Sequence, residues 1–336
     1  MRRHWGWLKW CCALGLLTSL FLIYRDQLAD LRYRDIRWEF AAAALLVCGF
    51  AVLLTFTRWF LLVWAQGFEF TYRDAIRLGF VGYVCNFIMP GAVGGDLIKA
   101  GAIAIRQRSR RSVAVATVFL DRLLGLLALF LVAAGVWLLQ SETTRGGIFL
   151  TCAITFAALG AAGLIGLFLL LHTPLLRARW LQWFRTVRVV GRITGELLDG
   201  VALYQSRPRV VWLAVAISIA GHFATLSSFY FSALALSPTE AVPDYFAHLL
   251  FMPAAEMAGM IPLFPAGLGA LEGATMYLYG KAGFVELNGF LTALGYRAVT
   301  ILIAVMGVGY YVSSRQDVRE AQDVLEAELR VENRVG

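Results

Sequence analysis

The sequence predicts an all-α polytopic membrane protein, with about six full spans plus two broken helical hairpins (eight to ten helices) in two inverted repeats. Three observations carry that reading. Hydrophobic residues make up 60% of the chain and charged residues 15%, where a soluble domain carries about 25% charged. The apolar residues fall in blocks long enough for membrane-crossing helices. Two of those blocks are interrupted near the middle by proline and glycine.

Taken in order, the N-terminal MRRHWGWLKWCCALGLLTSLFLIY has the basic start and apolar run of a signal peptide. No small-residue cleavage site follows, since Arg25, Asp26 and Gln27 come next, so an uncleaved first span at 8–24 is expected. The following stretch, RDQLADLRYRDIR (25–37), mixes four arginines with three aspartates and reads as interfacial. Full spans are predicted at 39–66, 113–139, 147–171, 209–235 and 289–313. Segments 74–105 and 246–279 are broken by Pro90-Gly91 and by Pro262 to Gly269. Each of their arms is about 15 residues, or about 23 Å of helix, short of a full crossing. Segment 175–205 alternates basic and apolar residues and reads as an amphipathic surface helix with Trp180, Trp183 and Phe184 at headgroup level. Residues 1–315 form one expected transmembrane domain (repeats about 8–139 and 147–313), and 316–336 a short charged tail with a frayed helix.

Charge placement sets the expected topology. With a cytoplasmic N-terminus and both broken segments returning to their own side, 20 Lys/Arg fall in cytoplasmic stretches and six outside. That asymmetry obeys the positive-inside rule, whereas a single crossing by 74–105 would put RQRSRRS (106–112) outside. Short full spans in place of re-entrant arms give the same sidedness, so this argument leaves both forms open. Both termini are thus expected in the cytoplasm.

The two broken segments align. Pro90 and Pro265 are 175 residues apart, and a glycine lies four residues beyond each, Gly94 and Gly269. A carboxylate follows in each copy (Asp96, Glu272), and an arginine lies 32 residues after each proline (Arg122, Arg297). The first copy starts from the cytoplasm and the second from outside, the inverted-repeat logic of transporters whose sites form where broken helices meet.

Eight ionisable residues remain inside the apolar segments: Arg58, Lys99, Arg122, Arg297, Asp96, Asp121, Glu256 and Glu272. Each costs about 2.5–3.5 kcal/mol near a helix centre on the insertion scale. Equal signs fit either ion pairs that lock helices together or a water-filled path. Guanidinium groups suit bidentate phosphate recognition, so Arg122 and Arg297, at mirrored depths, are the expected phosphate stations. Asp121 beside Arg122 is expected to orient it or to serve as a counter-charge. A helix starting near Gly94 would offer free N–H groups to an anion, or the glycines serve only tight packing. His222 and His248 read as hydrogen-bonding helix contacts, and Gly160, Gly163 and Gly166 as a helix-packing face.

Other classes lose support. The five cysteines lie within apolar blocks without metal or redox spacing. The net charge of +8 sits in loops between spans, which argues against nucleic acid as a partner. The chain shows no Walker motif, HExxH, GxSxG or Asp-x-Asp loop pair.

At these residues the chain resembles the lysylphosphatidylglycerol synthase transmembrane-region family, flippase-like membrane proteins. The resemblance rests on Asn86-x-x-x-Pro90 leading to Gly94-Gly95-Asp96, on Asp121-Arg122, and on Pro265-x-Gly267-x-Gly269-x-x-Glu272, and it spans about 8–315. Lys99 stands where relatives often carry arginine, and Ala266 where a glycine is expected. Larger relatives add a soluble aminoacyl transferase, which is not expected here. The resemblance implies movement of a phospholipid or glycolipid headgroup between leaflets of the cell inner membrane, passive or ion-coupled.

The expected roles follow. Arg122, Arg297 and Lys99 bind headgroup phosphate. Asn86, Pro90, Gly94, Gly95, Asp96, Pro265, Gly267, Gly269 and Glu272 form and gate the hairpins, with Asp121 and Glu256 as counter-charges. Expected partners are membrane lipids with anionic or zwitterionic headgroups and a lipid-modifying enzyme encoded nearby. No cofactor, metal or catalytic residue is expected. The alternatives are a membrane transferase using a polyprenyl-phosphate donor, or a non-catalytic partner of a lipid-modifying enzyme.

Overall fold

A computed structural model describes residues 35–88, 94–107, 110–138, 147–173, 191–260 and 267–313. The first span, most of the 25–37 stretch, Pro90, Gly91, Pro262, Pro265, Ala266, Trp180, Trp183, Phe184 and the 316–336 tail lie outside the described residues.

The described chain holds ten α-helices: α1 Trp38–Ala65, α2 Tyr72–Ile88, α3 Gly94–Arg106, α4 Arg111–Trp137, α5 Gly147–His172, α6 Gly191–Ser206, α7 Pro208–Leu236, α8 Tyr245–Met260, α9 Ala270–Lys281 and α10 Glu286–Ser313. A 3₁₀ turn, Thr239–Ala241, links α7 to α8. Among the described residues, α1, α4, α5, α7 and α10 are long and apolar enough to cross a membrane. Local chemistry sets several of their ends. Gly67, with a φ of 71°, follows α1 and donates its N–H to Trp64 O, and Pro208 opens α7 where a missing N–H costs nothing.

The four short helices are arms of two hairpins. At 12 to 17 residues they are about 18–26 Å long, below the ~30 Å hydrocarbon thickness. The outer ends of α2 and α3 lie side by side, because Arg106 Nη1 meets Asp74 Oδ1 at 2.7 Å and Gln107 Nε2 donates to Glu69 O. Likewise the start of α8 meets the end of α9, where His248 Nε2 and Tyr279 Oη are 3.0 Å apart and Tyr279 Oη reaches Thr292 Oγ1 at 3.0 Å. Each hairpin therefore leaves from and returns to one end of the bundle, as re-entrant arms and paired short spans both would.

The two hairpins enter from opposite ends. Arg110 bonds Gln66, Gln66 Nε2 donates to Gly200 O, and Arg207 reaches Ala65 O, gathering the α2–α3 mouth with the basic loops. At the other end, Arg37 N–H donates to Ala235 O and Asn288 Nδ2 to Ala241 O. Between these ends α1 and α7 run antiparallel down the middle, with Ser228 Oγ donating to Ala44 O and Arg58 Nη1 to Ser218 Oγ.

Pairing α1 with α7, α2 with α8, α3 with α9 and α4 with α10 exchanges the neighbours of one copy for those of the other. Thus α2 packs on α10 as α8 packs on α4, and α1 on α10 as α7 on α4. Helix α5 packs on α4 and α8; its counterpart, the 8–24 span, lies outside the described residues.

One expectation changes and another gains detail. The described part of the 175–205 segment lies in α6, which is docked on the bundle. Tyr204 Oη donates to Leu62 O, and Gln205 Nε2 to Leu170 O and Thr173 O, because the polar face meets helix-end carbonyls. In α5, a side chain at Gly160 or Gly163 would press on Leu131 or Leu127 of α4, but Gly166 faces open space, so the packing face is shorter than expected.

Candidate functional site

The first station is built around the start of α3. Gly95 must be glycine, since a Cβ there would lie 1.9 Å from Gly82 O of α2. This backbone-to-backbone approach seats the two arms and aims the first turn of α3 at α4. Asn86 Oδ1 accepts the Gly95 N–H at 2.8 Å, satisfying one of the orphan donors of a helix start. One residue on, Asp96 pairs with Arg122 Nε of α4. Lys99, one turn later, places Nζ 3.8 Å from the other Asp96 oxygen and over the Trp59 ring. Gly82 leaves room for its chain, because a Cβ there would strike Lys99 Cε at 2.8 Å.

Asp121 does not serve Arg122. Adjacent residues on a helix point about 100° apart, so Arg122 turns toward α3 while Asp121 turns toward α1. There Asp121 Oδ1 accepts from Arg58 Nε at 2.6 Å, and Arg58 Nη1 donates to Ser218 Oγ of α7 at 3.0 Å. Gly125, one turn below Asp121, makes the space: a Cβ there would lie 3.0 Å from Arg58 Nη1. Sequence reasoning named Arg58 as an intramembrane charge but missed this pairing, since nothing local connects residues 63 positions apart. Among the described residues, three cations (Arg58, Lys99, Arg122) thus share two carboxylates (Asp96, Asp121).

The second station repeats the plan with different capping. Gly267 has a φ of 65°, and a Cβ would lie 2.3 Å from Gly259 O of α8, so glycine again meets glycine across the arms. Glu272 accepts the Gly269 N–H at 2.7 Å through Oε2 and Arg297 Nε at 2.5 Å through Oε1. One carboxylate here does the work that Asn86 and Asp96 divide in the first copy. Arg297 Nη2 also donates to Gly267 O at 3.4 Å.

The stations differ in access. The Arg122 side chain is 38% exposed and that of Arg297 12%, with Glu272 wholly buried. A cavity of about 170 Å³ is lined by Arg58, Lys99, Asp121, Arg122, Tyr83 and Asn86. A second, of about 240 Å³, is lined by Arg297, Tyr296, Thr300 and Gly259, again with Tyr83 and Asn86. The two cavities therefore adjoin at α2, between the stations. Tyr83 and Tyr296 escaped sequence reasoning, because an aromatic in an apolar helix carries no mark of lining a cavity. Glu256 of α8 lies apart from both pairs, 3.9 Å from His222 Nδ1. Among the described residues no group of three His, Cys, Asp or Glu converges as a metal site requires.

Outside the station, Leu97 and Ile105 of α3 and Phe119 and Leu123 of α4 are exposed apolar residues flanking the Asp96–Arg122 pair. The pair thus lies beside exposed apolar side chains of two helices.

Comparison with known proteins gives one result of weight. The family described as Lysylphosphatidylglycerol synthase TM region matches residues 12–309. No curated protein and no solved structure matches the chain. The family match takes in both hairpins and both arginine–carboxylate pairs and covers most of the 336 residues, so the chain belongs to the integral-membrane family of the lysylphosphatidylglycerol synthase TM region.

Proposed function

We propose that this protein is a lipid translocase, moving a phosphate-bearing phospholipid or glycolipid headgroup between leaflets of the inner membrane, with both termini in the cytoplasm. The observation that carries this reading is the mirrored pair of arginine–carboxylate stations, each at the start of a hairpin's second arm, bordering cavities that adjoin at Tyr83 and Asn86.

The chemistry is an exchange of partners. A headgroup phosphate entering the first cavity competes with Asp96 for the Arg122 guanidinium, whose planar fork suits two phosphate oxygens. Asp96, once displaced, has Lys99 Nζ 3.8 Å away as its alternative cation. The acyl chains stay in the bilayer, along the seam of Leu97, Ile105, Phe119 and Leu123. The second station is closed in this arrangement, since Glu272 holds both Arg297 and the start of α9. Passage to Arg297 requires the α8–α9 hairpin to loosen, and the shared lining of the two cavities at Tyr83 and Asn86 supports such a passage.

Purified protein in liposomes with headgroup-labelled lipids and an impermeant quencher tests this. Accelerated transbilayer movement is expected for at least one anionic or zwitterionic phospholipid or glycolipid. Arg122→Ala and Arg297→Ala should each slow it at least about tenfold, the loss expected from removing a charge-assisted contact of about 1.5–3 kcal/mol. No acceleration with any candidate lipid would overturn the proposal. A metal-dependent product from a polyprenyl-phosphate donor would favour a transferase instead.

A further inference from the structure

Four acids lie in the apolar segments, and three have a guanidinium: Asp96 has Arg122, Asp121 has Arg58, and Glu272 has Arg297. Glu256 is different. Its ion-pair partner among the described residues is the His222 imidazole, Nδ1 to Oε2 3.9 Å. That Nδ1 is buried and has no hydrogen-bond partner among the described residues, whereas the large majority of buried side-chain polar atoms have one. An orphan ring nitrogen thus faces a carboxyl group across a gap about 1 Å longer than a hydrogen bond.

We infer that His222 and Glu256 form the site of one exchangeable proton, which couples headgroup movement to a proton gradient. The inference rests on the translocase reading for its use, though not for its chemistry. A proton entering forms an O–H bond on Glu256 or an N–H bond on His222 and raises the charge of the pair by one. The two groups then close into a hydrogen bond, and release of the proton reverses both changes. Closing moves α8 relative to α7, and α8 carries Gly259 at its end, the residue seated against Gly267 of the second hairpin. One turn from His222, Ser218 holds the Arg58 of the first station. The pair is therefore placed to report proton occupancy to both stations.

The charged and titratable groups facing it are Arg58 and Cys48 from α1 and Tyr296 from α10, and Arg58 is in turn paired with Asp121 of α4. Arg58 is already committed to a carboxylate. Among the four acids of the apolar segments, Glu256 is the one that faces an imidazole instead of a guanidinium.

Two measurements test the proposal and keep it apart from the translocase reading. In proteoliposomes carrying headgroup-labelled phospholipid, an imposed pH gradient should change the wild-type translocation rate at least about threefold. In Glu256→Gln the rate should be the same with and without the gradient. Translocation that is insensitive to the gradient in the wild type would overturn the coupling and leave the translocase standing. Infrared difference spectroscopy of the purified full-length protein should show a carboxylic-acid C=O band that titrates with pH, disappears in Glu256→Gln and shifts in His222→Asn. This readout needs no transport and holds even if the translocase reading fails. A wild-type spectrum with no titrating band assigned to Glu256 would overturn the proton site itself.

Discussion

The Arg58–Asp121–Ser218 contact and the Asp96–Arg122 pair use the same chemistry in different solvation. Arg58 and Asp121 are buried, with three helices closing round them. Removing one partner there leaves a stranded charge, which costs about 3–5 kcal/mol. Arg122 retains 38% of its side-chain exposure, and its loss leaves Asp96 with Lys99 Nζ 3.8 Å away, so the remaining carboxylate is not stranded and the cost should be smaller. Asp121→Ala should therefore lower the thermal unfolding temperature in detergent far more than Arg122→Ala. The translocation rates should respond to Arg122→Ala strongly. Equal destabilisation by the two variants would contradict the division into a structural pair and an accessible one. The division also explains why neighbours in the chain, Asp121 and Arg122, read together as one motif yet act apart. Helix geometry separates adjacent side chains, and only packing says which neighbour each one meets.

The hairpins depend on glycines that let two backbones touch. A Cβ at Gly95 would lie 1.9 Å from Gly82 O, and one at Gly267 would lie 2.3 Å from Gly259 O, with backbone on both sides and no flexible side chain to yield. Gly95→Ala and Gly267→Ala should thus unseat their hairpins, at a cost of about 3 kcal/mol or more, seen as lost monodisperse protein in detergent size-exclusion chromatography. Gly101 on the same helix α3 meets nothing within 4 Å. Gly101→Ala should be neutral or stabilising by up to about 1 kcal/mol. A Gly95→Ala protein as stable as Gly101→Ala would show that the arms do not meet as described. Breaking a helix inside an apolar segment exposes backbone groups that lipid cannot satisfy. Asn86 and Glu272 supply that satisfaction at the Gly95 and Gly269 N–H groups.

The bundle as a whole is an antiparallel pair of copies, and this gives a topological prediction. Cysteines placed at Arg73, near the start of α2, and at Arg111, at the start of α4, should react with an impermeant thiol reagent from one side of the membrane. A cysteine at Glu240, in the link before α8, should react from the other. Labelling of Arg73→Cys and Arg111→Cys from opposite sides would mean that α2 and α3 together cross the membrane once. Much of this architecture was legible beforehand. Hydropathy alone located the five described spans within a few residues, because a ~30 Å apolar slab demands a run of apolar helix whatever surrounds it. The proline–glycine breaks and the 175-residue spacing of Arg122 and Arg297 likewise stand in the chain itself. The pairing of charges does not. Eight ionisable residues of balanced sign admit many pairings, and contacts such as Arg58 with Asp121 or Glu256 with His222 join helices far apart in the chain. Length and hydrophobic period are local properties that each segment carries alone. The partner of a buried charge is set by which helix face lands within 4 Å of it, and that was decided only when the two copies packed antiparallel across α1 and α7.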